Sequence, residues 1–169
     1  MKTFPFLGAC IVALVLAVGA YLAQRASSAP SPAPDVSYTL LDGSQSTTRG
    51  LRGKVVLVNF WATDCAPCVK DMPQFAATHE KFKARGLETL AVAMSYDPPA
   101  QVMRFAESRK LPFGVVIDNT GSFAQGFDQV QVTPTTVLIN RRGEIVGRFV
   151  GEPDFAALNA LVETLLVES

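Results

Sequence analysis

Residues 55–68 of the chain, VVLVNFWATDCAPC, run from a continuous apolar segment into a pair of cysteines. Residues 55–60 combine β-branched and aromatic side chains without a charge, which is typical of a strand buried on both faces of a sheet. The apolar spacing of residues 67–85 predicts a helix that stops at Gly86. The stretch therefore predicts a central strand, a short turn and a helix, with both cysteines where the helix begins.

The spacing of the two cysteines indicates redox chemistry. Cys65 and Cys68, at i and i+3 in the first helical turn, can approach within disulfide-bonding distance. Unpaired N–H groups at the positive end of the helix dipole favour the thiolate of Cys65. Disulfide exchange requires such a thiolate and a second thiol that resolves the mixed disulfide. The alternatives are a zinc half-site or two thiols in the core. Zinc needs four ligands and only His79 and Cys10 remain as soft ligands, so we expect no metal.

The rest of the domain alternates predicted strands and helices. Residues 38–41 and 46–49 predict a short hairpin around an Asp-Gly turn. Further strands are expected at residues 87–94, 114–117, 135–140 and 144–150, and further helices at 99–110, 122–127 and 154–167. The order predicts an α/β domain with a mixed central sheet, helices on both faces and an N-terminal β-hairpin extension. The aromatic residues expected in its core are Phe60, Phe75, Phe82 and Phe105.

The N-terminus carries an uncharged apolar segment, residues 4–23, between Lys2 and Arg25. A helix of about 20 residues spans the hydrocarbon core of a bilayer. We therefore expect residues 1–25 to form an uncleaved transmembrane signal anchor, with Lys2 in the cytoplasm and the domain on the periplasmic side of a bacterial inner membrane. Residues 26–35, rich in Pro, Ala and Ser, predict a semi-rigid linker. The predicted folded domain covers residues 36–169.

Two other interpretations of the N-terminal segment stay open. A cleaved signal peptide is compatible with the small residues Ala20, Ala23 and Ala26. Residues 7–10, LGAC, look like a lipobox. However, too little apolar sequence precedes Cys10 and too much follows it, so we interpret Cys10 as a small apolar residue.

Charge and cysteine content exclude two classes of protein. Lys and Arg total 15, and Asp and Glu total 15, without a block of like charge. This balance provides no basic surface for nucleic acid. Three cysteines are too few for a scaffold held together by disulfides.

Two sequence blocks resemble the thioredoxin superfamily, and most closely its membrane-tethered TlpA- and ResA-like bacterial branch. The first is GKVVLVNFWA at residues 53–62, and the second is VTPTTVLIN at residues 132–140, followed by GEIV at 143–146. The resemblance implies that Pro134 is cis and faces the disulfide. It also implies that Thr133 offers backbone hydrogen bonds to an extended substrate, with a simple turn before a strand as the alternative. Trp61 would flank the site and bind substrate, with packing as the alternative, and Pro73 would kink the helix.

The chain departs from the thioredoxin pattern close to the cysteines. Asn59 occupies the position of thioredoxin's buried aspartate and cannot take a proton. The ResA-like branch instead has a carboxylate three residues after the second cysteine, which here is Asp71. Helical spacing places Asp71 beside Cys68, where it would shuttle a proton or tune the thiol. The alternative is an acidic residue favoured by the helix dipole.

These residues predict a protein-disulfide oxidoreductase that needs no cofactor. Asp64 replaces the usual tryptophan before Cys65 and opposes thiolate formation, while Ala66 and Pro67 offer no charge. We therefore expect a reductase. The resemblance implies a membrane electron donor of DsbD or CcdA type. It also implies client proteins with cysteine pairs, in cytochrome c maturation or copper-site assembly.

Two rival classes fit the sequence less well. A peroxiredoxin-type peroxidase uses a Thr-x-x-Cys context, whereas Thr63 stands two residues before Cys65. A Sco-type copper-delivery protein would need CxxxC spacing and a distant histidine, and no histidine follows His79. We expect His79 itself to be an exposed helix residue.

Overall fold

The computed structural model describes residues 30–168. Within this range the strands are β1 (Ser31–Pro32), β2 (Ser37–Thr39), β3 (Gln45–Thr47), β4 (Val55–Trp61), β5 (Leu87–Ala93), β6 (Gly114–Ile117), β7 (Thr135–Ile139) and β8 (Glu144–Val150). The α-helices are α1 (Ala66–Phe82), α2 (Pro99–Arg109), α3 (Ser122–Gly126) and α4 (Phe155–Val167). Short 3₁₀ helices cover Thr48–Leu51 and Lys83–Arg85.

Six of these strands form one mixed sheet in the order β1-β8-β7-β4-β5-β6, and β2 and β3 form a separate hairpin. Strands β4, β5 and β6 are parallel, whereas β7 is antiparallel to both β4 and β8. The parallel pairs are connected through α1 and α2, because parallel neighbours need a crossover, while β7 and β8 need only a tight turn. The predicted mixed sheet and N-terminal hairpin are confirmed.

Strand β4 is buried along its whole length, and its alternate residues face two different layers. Val56, Val58 and Phe60 pack with α3 and the hairpin on one face of the sheet. Val55 and Leu57 pack on the other face with apolar residues of α1 and α4. Helices therefore cover both faces, as predicted. Of the aromatic residues expected in the core, Phe60, Phe75 and Phe82 are fully buried and Phe105 is partly buried.

The carboxyl ends of β4 and β5 meet at one edge of the sheet because the two strands are parallel, with Trp61 beside Ala93. Strand β7 begins at the same edge, since Thr135 pairs with Phe60. We call this edge, defined by Trp61, Ala93 and Thr135, the carboxyl edge. It is where the cysteine pair lies.

The folded domain begins earlier than the predicted residue 36. Ser31 and Pro32 pair with β8, and the Ala33 N–H donates to the Gly143 carbonyl at 2.8 Å. Proline suits this position because β1 is an edge strand. Residues 31–35 are therefore part of the domain rather than of a linker. The anchor predicted at residues 1–25 lies outside the described residues. Within residues 30–168, the helices are too short or too polar to cross a bilayer.

The expectation of an exposed His79 is wrong. Its side chain is buried, with Nδ1 3.1 Å from the Thr89 hydroxyl and the ring edge-on to Phe113. His79 follows Phe75 by four residues and precedes Phe82 by three, which places all three on the buried face of α1. Burial lowers the pKa of His79, because charging the ring would cost solvation energy.

Candidate active site

The chain reaches the cysteines through a tight turn at the carboxyl edge. The Trp61 carbonyl accepts from the Met94 N–H at 3.0 Å, which extends the pairing of β4 and β5 by one residue. The Cys65 N–H then donates to the Ala62 carbonyl at 3.2 Å and closes the turn. Helix α1 begins immediately afterwards, with Cys65 as its N-cap and Pro67 in its first turn, where a missing N–H costs nothing.

Cys65 and Cys68 form a disulfide with 5.2 Å between their Cα atoms. The Sγ of Cys65 accepts a hydrogen bond from the Cys68 N–H at 3.3 Å. The two sulfurs differ in access: Cys65 is half-buried, whereas Cys68 is only 1% exposed. A partner in solution therefore reaches Cys65 first, and the N–H donor at its sulfur favours a thiolate there after reduction.

The Thr133–Pro134 peptide bond is cis, as the resemblance implied. Pro134 comes directly before β7 and so lies at the carboxyl edge, beside the end of β4 that leads to the cysteines. Its carbonyl accepts from the Gly151 N–H at 2.8 Å. Pro134 is buried, Thr133 is half-buried and Val132 is exposed. The segment therefore reaches the surface just before Pro134.

Trp61 does not lie where a substrate would touch it. Its side chain is completely buried and packs with Cys68 and Met72, and its ring centroid is 5.0 Å from that of Phe105. As the last residue of β4, it points into the layer below the disulfide rather than toward solvent. The expected role in substrate binding is corrected to packing beneath the cysteine pair.

Asp71 lies on the buried face of α1, three residues after Cys68, and is only 2% exposed. Its Oδ2 atom has no hydrogen-bond partner in the protein. Burial raises the pKa of Asp71, and the negative charge of Glu152 raises it further, while Lys70 lowers it. Glu152 in turn binds Lys70 at 2.7 Å. Asp71 is thus a buried carboxyl group with a raised proton affinity.

Asn59, near the end of β4, is another buried polar side chain. Its Nδ2 donates to the Thr136 hydroxyl at 3.2 Å, and its Oδ1 is unpartnered. The side-chain amide of Asn59 does not ionise in the physiological pH range, so it offers hydrogen bonds but no acid–base function.

Asp97 is a polar residue of the site that the sequence motifs do not predict. This residue follows β5 in the loop before α2 and is 4% exposed. Its carboxylate accepts from both the N–H and the hydroxyl of Thr63, each at 2.6 Å. The available signal was topological: loops after neighbouring parallel strands meet at one edge of the sheet.

In the part of the chain that the structure describes, no three His, Cys, Asp or Glu side chains come together as a ligand group. His79, the one histidine of the sequence, is paired with Thr89 in the core.

The fold and the surface-accessible disulfide at a helix N-terminus define a thiol–disulfide oxidoreductase of the thioredoxin-like class. The family model described as Redoxin matches residues 28–162. The chain therefore belongs to the Redoxin family. The family assignment and its relatives support protein-disulfide oxidoreductase activity.

Curated relatives agree with this assignment. The thiol-disulfide oxidoreductase ResA of Geobacillus kaustophilus is 37% identical over 122 residues, which is 72% of this chain and 69% of the relative. ResA of Bacillus subtilis is 32% identical over 137 residues, covering 81% of this chain and 75% of the relative. The chain is thus similar to ResA proteins across most of its domain.

Solved structures give the same fold. A solution structure from Neisseria meningitidis, assigned as a thioredoxin, matches with a TM-score of 0.76 and 38% identity over 82% of this chain and 93% of that one. A crystal structure from Chlorobium tepidum, assigned as the thiol:disulfide interchange protein DsbE, has a TM-score of 0.75 and 28% identity. It covers 81% of this chain and 96% of that one.

Proposed function

We propose that the protein is a disulfide reductase for extracytoplasmic client proteins with cysteine pairs, with Cys65 as nucleophile and Cys68 as resolving thiol. The observation that carries these roles is the difference in access between the two sulfurs. Cys65 is half-buried and accepts a hydrogen bond from the Cys68 N–H, whereas Cys68 is fully buried in the first turn of α1.

The proposed reaction has two exchange steps. The Cys65 thiolate attacks one sulfur of the client disulfide, which forms a mixed disulfide and releases the other client sulfur as a thiolate. Cys68 then loses its proton and attacks the Cys65 sulfur, which forms the Cys65–Cys68 disulfide and releases the second client thiolate. Two electrons pass to the client, and a separate donor must return two electrons to the protein.

Asp71 is the proposed acceptor of the Cys68 proton. It lies one helical turn from Cys68, and its raised pKa makes it a better base than an ordinary carboxylate. Asn59, at the position of thioredoxin's aspartate, cannot take that proton.

The charges around the pair support a reducing couple. Asp64 is exposed next to Cys65, and the neighbouring cation Lys70 is engaged by Glu152. A thiolate at Cys65 gains no cationic partner from these residues, so the reduced form is not strongly favoured. Equilibration with glutathione buffers should give a potential nearer thioredoxin's, about −270 mV, than DsbA's, about −120 mV. A value above roughly −180 mV would indicate an oxidant or isomerase and refute this direction.

The location and partners of the reaction are part of the proposal. The apolar segment at residues 4–23 supports a membrane anchor with the domain in the periplasm. A reductase in that compartment needs electrons from across the membrane, which supports a donor of DsbD or CcdA type. Cytochrome c maturation and copper-site assembly are the proposed client pathways.

A Cys68→Ala variant cannot resolve mixed disulfides, so affinity capture from membranes should retain client and donor. Capture of neither would contradict the proposed partners.

A further inference from the structure

The loop of residues 94–98, between β5 and α2, contacts two parts of the candidate active site. One is the turn that leads to Cys65, and the other is the Thr133–Pro134 segment. Met94 at its start donates its N–H to the Trp61 carbonyl at 3.0 Å. The Asp97 N–H donates to the Met94 carbonyl at 2.9 Å, which makes the loop a tight turn. We call residues 94–98 the edge loop, because it follows the carboxyl edge.

Asp97 fixes the edge loop to the turn that carries the cysteines. Both of its carboxylate oxygens are used: Oδ2 accepts from the Thr63 N–H and Oδ1 from the Thr63 hydroxyl, each at 2.6 Å. Hydrogen bonds to a buried carboxylate are short and stronger than neutral ones. Because Thr63 is two residues from Cys65, this contact sets the position of the edge loop relative to the attacking sulfur.

Tyr96 extends from the same loop to the Thr133–Pro134 segment. Its side chain is 56% exposed, and its hydroxyl lies 3.4 Å from the Thr133 hydroxyl, next to the cis-proline. Val132, the residue before Thr133, is 55% exposed. An aromatic ring and an aliphatic side chain thus face solvent where Thr133 reaches the surface.

Disulfide exchange brings a client onto this surface. In a mixed disulfide the Cα atoms of the two cysteines lie about 4.4–6.8 Å apart. We expect the client residues next to the attacked cysteine to cross the turn before Cys65 and the Thr133 segment, because the edge loop contacts both through Asp97 and Tyr96. An exposed tyrosine ring gains most when an apolar side chain covers it.

We propose that the edge loop determines client specificity, with Tyr96 binding an apolar side chain adjacent to the attacked client cysteine and Asp97 acting as a positioning residue through Thr63. This inference rests on the proposed function and narrows its substrate class. The preferred client is a segment with a leucine-like or phenylalanine-like residue beside its reactive cysteine.

The test compares three disulfide substrates in the presence of excess reductant. Two are peptides that differ only in Leu or Ser beside the reactive cysteine, and the third is hydroxyethyl disulfide, which has no side chain to bind. We expect wild-type protein to prefer the Leu peptide by about tenfold in kcat/KM, which corresponds to about 1.4 kcal/mol. The preference should arise in KM, because the proposed contact of Tyr96 is with a client side chain and not with the reacting sulfurs.

The Tyr96 variants separate the ring from its hydroxyl. Tyr96→Ala should abolish the preference for the Leu peptide over the Ser peptide, and Tyr96→Phe should keep it. Val167→Ala is the matched control, because Val167 is an exposed apolar residue at the far end of α4. An equal preference in wild type and Tyr96→Ala would overturn the inference. Activity with none of the three substrates would instead overturn the proposed function.

The positioning role of Asp97 is tested through Thr63. Thr63→Val removes the hydroxyl bond at nearly constant volume, whereas Thr63→Ser keeps it. We expect Thr63→Val to reduce the Leu preference at least threefold although Tyr96 is intact, and Thr63→Ser to retain it. Thermal unfolding measured in parallel identifies a purely structural effect. A Thr63→Val variant that is less stable but keeps the wild-type preference would refute the positioning role.

Discussion

Replacing Asp71 with asparagine should slow the second exchange step and, at neutral pH, stabilise the protein. Asp71 is buried, its Oδ2 has no partner, and burial is the main cause of its raised pKa. The substitution keeps the shape of the side chain but removes its ability to take the Cys68 proton. Activity and stability should therefore change in opposite directions.

The kinetic effect should be large because the carboxyl group is shielded from water. General-base assistance is typically worth about 10²–10⁴-fold. Below the raised pKa of Asp71 the carboxyl group is already protonated, so the wild-type resolution rate should fall as the pH drops through that value. Asp71→Asn should lack this step and resolve slowly on both sides of it.

The stability effect follows from the direction of the same shift. The pKa of Asp71 is higher in the folded than in the unfolded state, so the folded state binds more protons between the two values. The buried charge costs no stability below a pH of about 3.9, the pKa of aspartate in the unfolded state. It costs its full amount only above the raised pKa of Asp71 in the folded state. Asp71→Asn removes this buried charge, so the variant should be more stable than wild type at pH 8. It should gain little near pH 4.

Single-turnover reduction of a fluorescent peptide disulfide, followed across pH, measures the kinetic part. Urea unfolding at pH 4 and pH 8 measures the rest. Asp64→Asn is the control, because it removes an equal charge from an exposed residue next to Cys65 instead of Cys68. If the resolution rates of Asp71→Asn and wild type coincide at all pH values, Asp71 is only a helix residue and water carries the proton.

Two further predictions follow from burial. Mild alkylation of the reduced domain should label half-buried Cys65 before Cys68, and peptide mapping that finds Cys68 labelled first would reverse their roles. Burial also lowers the pKa of His79, with Glu88 and Glu80 opposing the shift in part. The free energy of unfolding should thus decrease as the pH falls below about 6.5, the pKa of histidine in the unfolded state. The decrease should be at most about 1.4 kcal/mol per pH unit. His79→Gln should flatten this loss in urea titrations, and an unchanged slope would exclude His79 as its cause.

The sequence predicts the elements around the cysteines well, because local patterns determine them. The uninterrupted apolar run of β4 fits a strand buried on both faces, and the residues that follow it carry the apolar spacing of α1. Strand β8 covers the predicted residues 144–150, since a turn and an alternating segment define it. Each of these signals lies within a few residues of what it specifies.

Features that depend on distant residues were not predictable in the same way. Thr63 and Asp97 are 34 residues apart, and only the parallel register of β4 and β5 brings them together. The composition of residues 31–35 led to a wrong prediction. Alternating prolines are typical of a linker, but an edge strand such as β1 also tolerates proline. The burial of His79, by contrast, was available from its helical phase with Phe75 and Phe82.

Buried polar atoms without a hydrogen-bond partner lie at the end of β4 and the start of α1, in the part of the chain that the structure describes. In the described part of the chain, three buried side-chain atoms lack a hydrogen-bond partner: Asn59 Oδ1, Trp61 Nε1 and Asp71 Oδ2. All three belong to the end of β4 or the start of α1, and each such atom costs about 1–3 kcal/mol. For Asp71 the cost has a chemical consequence. Hydrogen-bond donors or a close cation would stabilise the carboxylate and make it a weaker base. The unpartnered Oδ2 keeps proton affinity high next to the thiol that must lose a proton, so the feature that lowers stability also supplies the proposed base.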